Sequence, residues 1–261
     1  MDNRLKCVVD IPVYLLAYFA IQYAAARFMP GPLWQSAFTG LATVLVFAAA
    51  RWSPPSRRYV RSRPWAAMAW VALLALGTIL PSQWLMELME VQLPEAHERY
   101  FGQIMSRPEG YLLIGVLTPV AEEMVFRGAV LRRLLALSAG GWEWVAVAVS
   151  AALFGAVHGN SAQMAHAFAM GLLLGWMYKR TGSIVPGVVV HWVNNTVAYL
   201  MYNFVPNADD GTLIDIFNGS QGRVWLALVF SMCIFAPSLL QCALRLKKPY
   251  ADGYSDIGAG R

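Results

Sequence analysis

Apolar runs of nearly membrane-crossing length recur along this chain, and prolines or basic residues end most of them. A helical crossing takes about 20 residues. Eight stretches approach that length: 8–28, 34–50, 65–80, 111–135, 142–158, 163–178, 184–204 and 224–246. Pro30-Gly31-Pro32 ends the first, Arg51 and Pro54-Pro55 end the second, and Pro64 and Pro81 bound the third. Composition agrees: 58% of residues are hydrophobic and only 13% charged, where soluble domains carry about 25% charged residues. No hydrophilic block is large enough to fold apart. The expectation is an all-α, polytopic membrane protein of about eight transmembrane helices, one domain over residues 1–261 with a disordered tail at 251–261.

The net charge of +5 points to topology, not to nucleic acid, because the basic residues cluster in short loops. Arg4 and Lys6 precede the first run, and Arg51, Arg57, Arg58, Arg61 and Arg63 follow the second. Arg132 and Arg133 lie at the end of the fourth, Lys179 and Arg180 follow the sixth, and Arg245, Lys247 and Lys248 lie at or just past the end of the eighth. With eight crossings all of these share one side. The opposite loops carry Glu87, Glu90, Glu95, Glu98, Asp209, Asp210 and Asp215. The positive-inside rule then puts both termini in the cytoplasm, and the basic loops and tryptophans suit a prokaryotic inner-membrane protein. The five arginines at 51–63 read as a topology anchor, with binding of anionic lipid head groups as the alternative.

Other features set smaller expectations. The segment 81–109 is too polar to cross, and Trp84, Leu85, Leu88, Met89 and Leu93 make part of it amphipathic. It reads as an interfacial cover or a plain outer loop. Cys7, Cys233 and Cys242 lack the spacing of a disulfide framework or a zinc knuckle. The first run lacks a clear cleavage site and is expected to remain as a helix. Gly155/Gly159 and Gly171/Gly175 are four apart, a spacing that lets membrane helices approach closely.

The fourth run holds what lipid should exclude. Glu122, Glu123 and Arg127 lie in its middle, and a charge at mid-bilayer costs about 2.5–3.5 kcal/mol on insertion scales. Residues four apart share a helix face, so Glu123 and Arg127 can pair and support the packing. Glu122 points elsewhere without a partner on its own helix, which makes it the candidate for chemistry. Pro119, one turn earlier, removes a backbone hydrogen bond beside it.

Three further polar positions follow. His158 ends the fifth run, and His191 and Asn195 share a face of the seventh. Asn194 looks another way, and His166, among alanines, reads as a packed, hydrogen-bonded histidine. Ionisable groups on separate membrane runs should face a shared interior, so a polar intramembrane active-site cavity is expected. There Glu122 can act as general base on a water, and His158 can hold that water or carry its proton. His191 and Asn195 can donate to the oxygen that becomes negative when a carbonyl is attacked. Zinc is the competing use, with Glu122, His158 and His191 as ligands. The chain lacks His-Glu-x-x-His and Asn195 is a poor ligand, so the set favours a metal-free glutamate mechanism. No Gly-x-Ser-x-Gly is present for a serine mechanism.

Glu-Glu-x-x-x-Arg at 122–127, Phe-x-x-x-His at 154–158 and His-x-x-x-Asn at 191–195, with the Thr181-Gly182-Ser183 turn between the last two, form an ordered set. It resembles the motifs of the CAAX prenyl protease and bacteriocin-processing (CPBP, Abi) family of intramembrane endopeptidases, over residues 118–199. The resemblance implies a catalytic core at 111–200. Glu122 and His158 would be the water-activating pair, His191 and Asn195 the stabilisers of the tetrahedral intermediate, and Glu123 and Arg127 supporting residues. It implies a membrane-associated or C-terminally tagged protein or peptide as substrate. It leaves the metal open, since the family has been described both as metalloproteases and as glutamate-type proteases. Two other functions stay open: a non-enzymatic scaffold or bacteriocin immunity factor, and a proton-coupled carrier, for which no inverted repeat is visible.

Overall fold

The computed structural model describes residues 3–89, 94–138, 141–205 and 212–247. Glu90, Leu93, Asp209, Asp210, Lys248 and the tail at 251–261, which entered the expectations above, lie outside the described residues.

The described residues form helices and no strands. In chain order these are α1 (Asn3–Phe28), α2 (Gly31–Ala49), α3 (Arg57–Arg61), α4 (Trp65–Leu88) and α5 (Glu95–Met105). A rod at 108–137 follows, built of α6 (Pro108–Gly110), a π-helical segment (Tyr111–Leu117), α7 (Thr118–Glu123), a second π-helical segment (Met124–Leu131) and α8 (Arg132–Leu137). Then come α9 (Glu143–Ala156), α10 (Ser161–Thr181), α11 (Val185–Phe204), α12 (Leu213–Ile216) and α13 (Gln221–Arg245). Among the described residues, four stretches are long and apolar enough to cross a membrane: Arg4–Phe28, Gly31–Ala49, Trp65–Leu88 and Gln221–Arg245. The helix α9 is apolar but only 14 residues long.

Local chemistry sets the boundaries. Asn160 caps α10 by accepting the Gln163 N–H at 2.9 Å. Gly182 ends that helix in the left-handed region, at φ 66°. In the same turn the Ser183 N–H donates to the Thr181 hydroxyl at 3.2 Å, and the Val185 N–H donates to the Ser183 hydroxyl at 3.1 Å. The Thr-Gly-Ser sequence thus satisfies backbone donors that a sharp turn between two buried helices would otherwise strand.

One expected boundary is wrong. The third run does not stop at Pro81; α4 continues through it to Leu88. A proline leaves the carbonyl four residues back without its helical donor, here that of Gly77. The Ser231 hydroxyl of α13 donates to the Gly77 carbonyl at 3.1 Å. A neighbouring helix thus supplies what the proline removed. The far end of α4 is held as well, because Glu87 accepts the Leu213 N–H at 2.8 Å. Much of the stretch read as an outer cover, including Trp84, Leu85 and Leu88, is therefore a continuation of α4.

The rod runs through the middle of the bundle, and every residue from Met124 to Leu131 is buried. On one side Val125, Phe126 and Val130 pack with Tyr14 and Tyr18 of α1, Phe47 of α2 and Phe154 of α9. On another, Leu131 and Leu135 meet Val147 of α9 and Tyr178 of α10. A further core joins Val71 and Leu74 of α4 to Leu174, Val190 and Cys242 of α10, α11 and α13. The small-residue spacing is half confirmed. A side chain at Gly171 would meet Ala151, one at Gly175 would meet Val147, and one at Gly155 would meet Met164, so α9 and α10 pack closely. Gly159 instead serves a left-handed turn, with open space around it.

The basic loops gather at one end. Arg132 donates to the Trp52 carbonyl at 3.0 Å, and the Ile184 N–H donates to the Ser56 hydroxyl at 3.3 Å. Arg180 reaches the Leu246 and Ala243 carbonyls, and Arg133 pairs with Asp10 at 2.8 Å. Leu16, Leu45, Val229 and Phe230 are among many apolar side chains exposed on the outside of the helices, a surface suited to lipid and costly in water.

Candidate active site

The site begins with a change of hydrogen-bond register. Pro119 has no N–H, and the Thr118 N–H bonds to the Leu113 carbonyl five residues back. The Arg132 N–H likewise reaches the Arg127 carbonyl. Widened turns of this kind are rare and are frequent at functional sites. They bracket the short α-helical piece that ends in Glu122 and Glu123, and they slip its side chains around the rod relative to a straight α-helix.

Glu123 and Arg127 form the expected pair, at 2.6 Å, with both side chains almost fully buried. Arg127 is committed in two more directions. It donates to the Gly171 carbonyl of α10 at 3.4 Å, and its guanidinium lies 4.4 Å from the centre of the Phe154 ring of α9. One side chain thus holds the rod, α9 and α10 together. Glu122 is left out of this arrangement, as the spacing predicts, and its side chain keeps 13% exposure.

The imidazole of His191, on α11, sits between the two carboxylates. Its Nε2 lies 3.7 Å from Glu122 and its Nδ1 lies 3.9 Å from Glu123. Phe154 turns its ring edge-on to both His158 and His191, with centroids 5.1 and 6.0 Å apart. His158 lies just beyond α9, where its Nδ1 is 2.8 Å from the Phe154 carbonyl. That contact requires the proton on Nδ1 and leaves Nε2 as the free acceptor. No hydrogen bond or ion pair joins His158 to Glu122 among the described residues. His166, expected only to pack, comes within electrostatic reach of His158 and His191.

Asn195 is already engaged in a hydrogen bond. Its amide donates to the Ile114 carbonyl in the first π-helical segment at 2.9 Å. It belongs to a row that fastens α11 to the start of the rod. The Trp192 indole donates to the Tyr111 hydroxyl at 3.1 Å, that hydroxyl lies 3.3 Å from the Thr196 hydroxyl, and the Tyr199 hydroxyl donates to the Arg107 carbonyl at 3.0 Å. Trp192, Asn195, Thr196 and Tyr199 follow the spacing of one helix face, the signal by which this row was readable.

Two cavities of the fold lie near Ser56 and Ile184 and near Trp84 and Leu213, away from the acid–imidazole cluster. That cluster is nearly closed, with the His191 side chain 10% exposed. Glu123 Oε2, Arg127 Nε and His191 Nδ1 are buried there without a hydrogen-bond partner. Such atoms are rare enough in folded proteins to mark a site. No group of three or more His, Cys, Asp or Glu side chains is arranged to hold a metal ion among the described residues.

Gly187 is a site residue that composition did not flag. A Cβ there would land on the Glu123 Oε2 atom. Gly187→Ala is expected to push Glu123 out of its place between Arg127 and His191. Overpacking of this kind costs about 1–3 kcal/mol, and thermal unfolding of the detergent-solubilised protein measures it. An unchanged midpoint would show that the carboxylate moves aside freely.

Residues 108–197 match the model of one protein family, described as Type II CAAX prenyl endopeptidase Rce1-like. No curated protein and no solved structure matches the chain. The matched segment runs from α6 into α11 and is roughly a third of the chain. It contains Glu122, Glu123, Arg127, His158, His191 and Asn195, and excludes α1, α2, α4 and α13. The apolar helices and the match together mark an integral membrane protein, with a CAAX-protease type of endopeptidase as the suggested activity and a membrane-associated protein as the suggested substrate. The motifs found in the sequence and the segment that folds around the buried Glu123–Arg127 pair thus coincide with the Rce1-like CAAX protease family.

Proposed function

We propose that the chain is an intramembrane endopeptidase that hydrolyses a peptide bond in a membrane-associated or C-terminally tagged protein or peptide. One observation carries this most: Arg127 is committed to Glu123, Gly171 and Phe154, while Glu122 takes no part in that arrangement, is partly exposed and lies 3.7 Å from His191. An ion pair serving only to pack helices leaves no reason for that second acid.

In the proposed reaction Glu122, with His158 holding the water through its free Nε2, takes a proton from that water. The oxygen attacks the scissile carbonyl carbon, and the carbonyl π electrons move to its oxygen. His191 and Asn195 donate to the resulting oxyanion. For Asn195 this requires exchanging its bond to the Ile114 carbonyl. The intermediate then collapses: the C–N bond breaks, Glu122 passes its proton to the leaving nitrogen, and a carboxylic acid and an amine result. Glu123 and Arg127 hold the framework. This is a glutamate-type mechanism in which the base is the protein's own carboxylate.

The proposal extends to topology. The rod and the helices α9, α10 and α11 would complete eight crossings as one membrane domain with its core at 111–200. The gathered basic end would face the cytoplasm of a prokaryotic inner membrane and carry both termini. Tags on the two termini should be accessible from the same side.

A comparison of membrane peptidomes from wild-type and Glu122→Gln cells tests the function. Specific fragments should disappear in the variant while their uncut precursors accumulate. The near-closure of the cluster favours one other reading, a non-enzymatic scaffold or immunity factor. Full rescue of a deletion phenotype by Glu122→Gln, with identical peptidomes, would select it.

A further inference from the structure

We propose that a cavity at the basic end of the bundle binds the phosphate-bearing head group of an anionic membrane lipid. The cavity, of about 470 Å³, is lined by Ser56, Arg57, Val60, Arg61, Ile184 and Val185, with Pro55 at its edge. It belongs neither to the acid–imidazole cluster nor to the family-matched segment alone, since residues 55–61 precede that segment.

The charges point to an anion. Arg57 and Arg61 are four apart on α3 and so share a face. Like charges at that spacing repel one another. Among the described residues neither arginine has a hydrogen-bond or ion-pair partner, and no acidic side chain lines the cavity. Their neighbours differ. Arg132, Arg133, Lys179 and Arg180 at the same end are spent on carbonyls or acids of the fold. The opposite face of α3 is fixed, because Tyr59 is buried in the core with Val71 and Cys242. The arginine pair is therefore held outward as a unit. Guanidinium groups match phosphate oxygens in paired hydrogen bonds.

The walls point to a lipid and not to a free phosphate. Val60, Ile184 and Val185 offer apolar surface beside the arginines, and Val60 is 41% exposed. The site is a groove open to the surface, and its volume of about 470 Å³ is more than inorganic phosphate fills. Anionic lipids are also concentrated at the surface where basic loops gather. A head group seated there would bridge α3 to the first turn of α11, where Ile184 already donates to Ser56. It would thereby steady the helix that carries His191.

The test uses the full chain in nanodiscs and reads thermal unfolding together with lipid retention by native mass spectrometry, so it does not depend on peptidase activity. Replacing phosphatidylcholine with a phosphatidylcholine–phosphatidylglycerol mixture should raise the unfolding midpoint and leave phosphatidylglycerol bound. Arg57→Gln/Arg61→Gln should lose most of the shift and the retained lipid. Arg51→Gln/Arg63→Gln, which removes equal charge from the same loop outside the cavity, should keep both. Val60→Asp places an acid in the cavity without touching either arginine and should also lose both. Retention of the full shift in the Arg57/Arg61 variant, or in Val60→Asp, would overturn the proposal. So would an equal shift on adding inorganic phosphate to phosphatidylcholine nanodiscs, which would identify a free-anion site instead.

Discussion

Glu122→Gln is expected to lower single-turnover cleavage by about 10²–10⁴-fold, the usual contribution of a positioned acid–base group, while thermal unfolding stays near that of the wild type. Both halves follow from the division of labour between neighbours. Glutamine fills the same space but cannot take a proton from water. Glu122 anchors nothing: Arg127 is bound to Glu123 and not to it. Glu123→Gln should behave in the opposite sense, with lowered stability and an activity loss that follows from it. Measuring cleavage and unfolding on both variants separates the two acids. Undiminished cleavage by Glu122→Gln, with a verified substrate, would remove the proposed mechanism.

The largest loss of stability is expected from Arg127→Met. Removing one partner of a buried ion pair leaves an uncompensated charge and costs about 3–5 kcal/mol. Here the loss also includes the bond to the Gly171 carbonyl and the contact over the Phe154 ring. The rod would lose its tie to α9 and α10 at the level of His191. Because the stranded charge is the larger part, Arg127→Met/Glu123→Gln should recover much of the loss. Unfolding of both variants in detergent gives the comparison. A double variant no more stable than the single one would mean that the ring and carbonyl contacts, and not charge balance, hold the rod.

Parts of the site were legible before any coordinates. Residues four apart share a face whatever surrounds them, so the Glu123–Arg127 pair and the solitude of Glu122 followed from numbering alone. Pro81 misled because a proline's effect depends on what lies opposite, and the Ser231 hydroxyl that takes over the Gly77 carbonyl is far away in sequence. His166 looked like a packing residue because its own helix sets it among alanines, Met164, Phe168 and Met170. Its electrostatic influence on His158 and His191 depends on how α9, α10 and α11 are arranged.

The sequence by itself determined that the chain is helical and apolar enough for lipid, which acid is paired, and which motifs resemble those of the matched family. Those properties depend on composition and on the fixed angular repeat of a helix. Only the tertiary structure decided that His191 sits between Glu122 and Glu123, that Asn195 is tied to Ile114, that Gly187 makes room for a carboxylate, and that Arg57 and Arg61 share a cavity with the start of α11. Each of these is a meeting of separate elements. Such meetings depend on crossing angles and on hydrogen-bond register along the rod, which no local pattern of residues encodes.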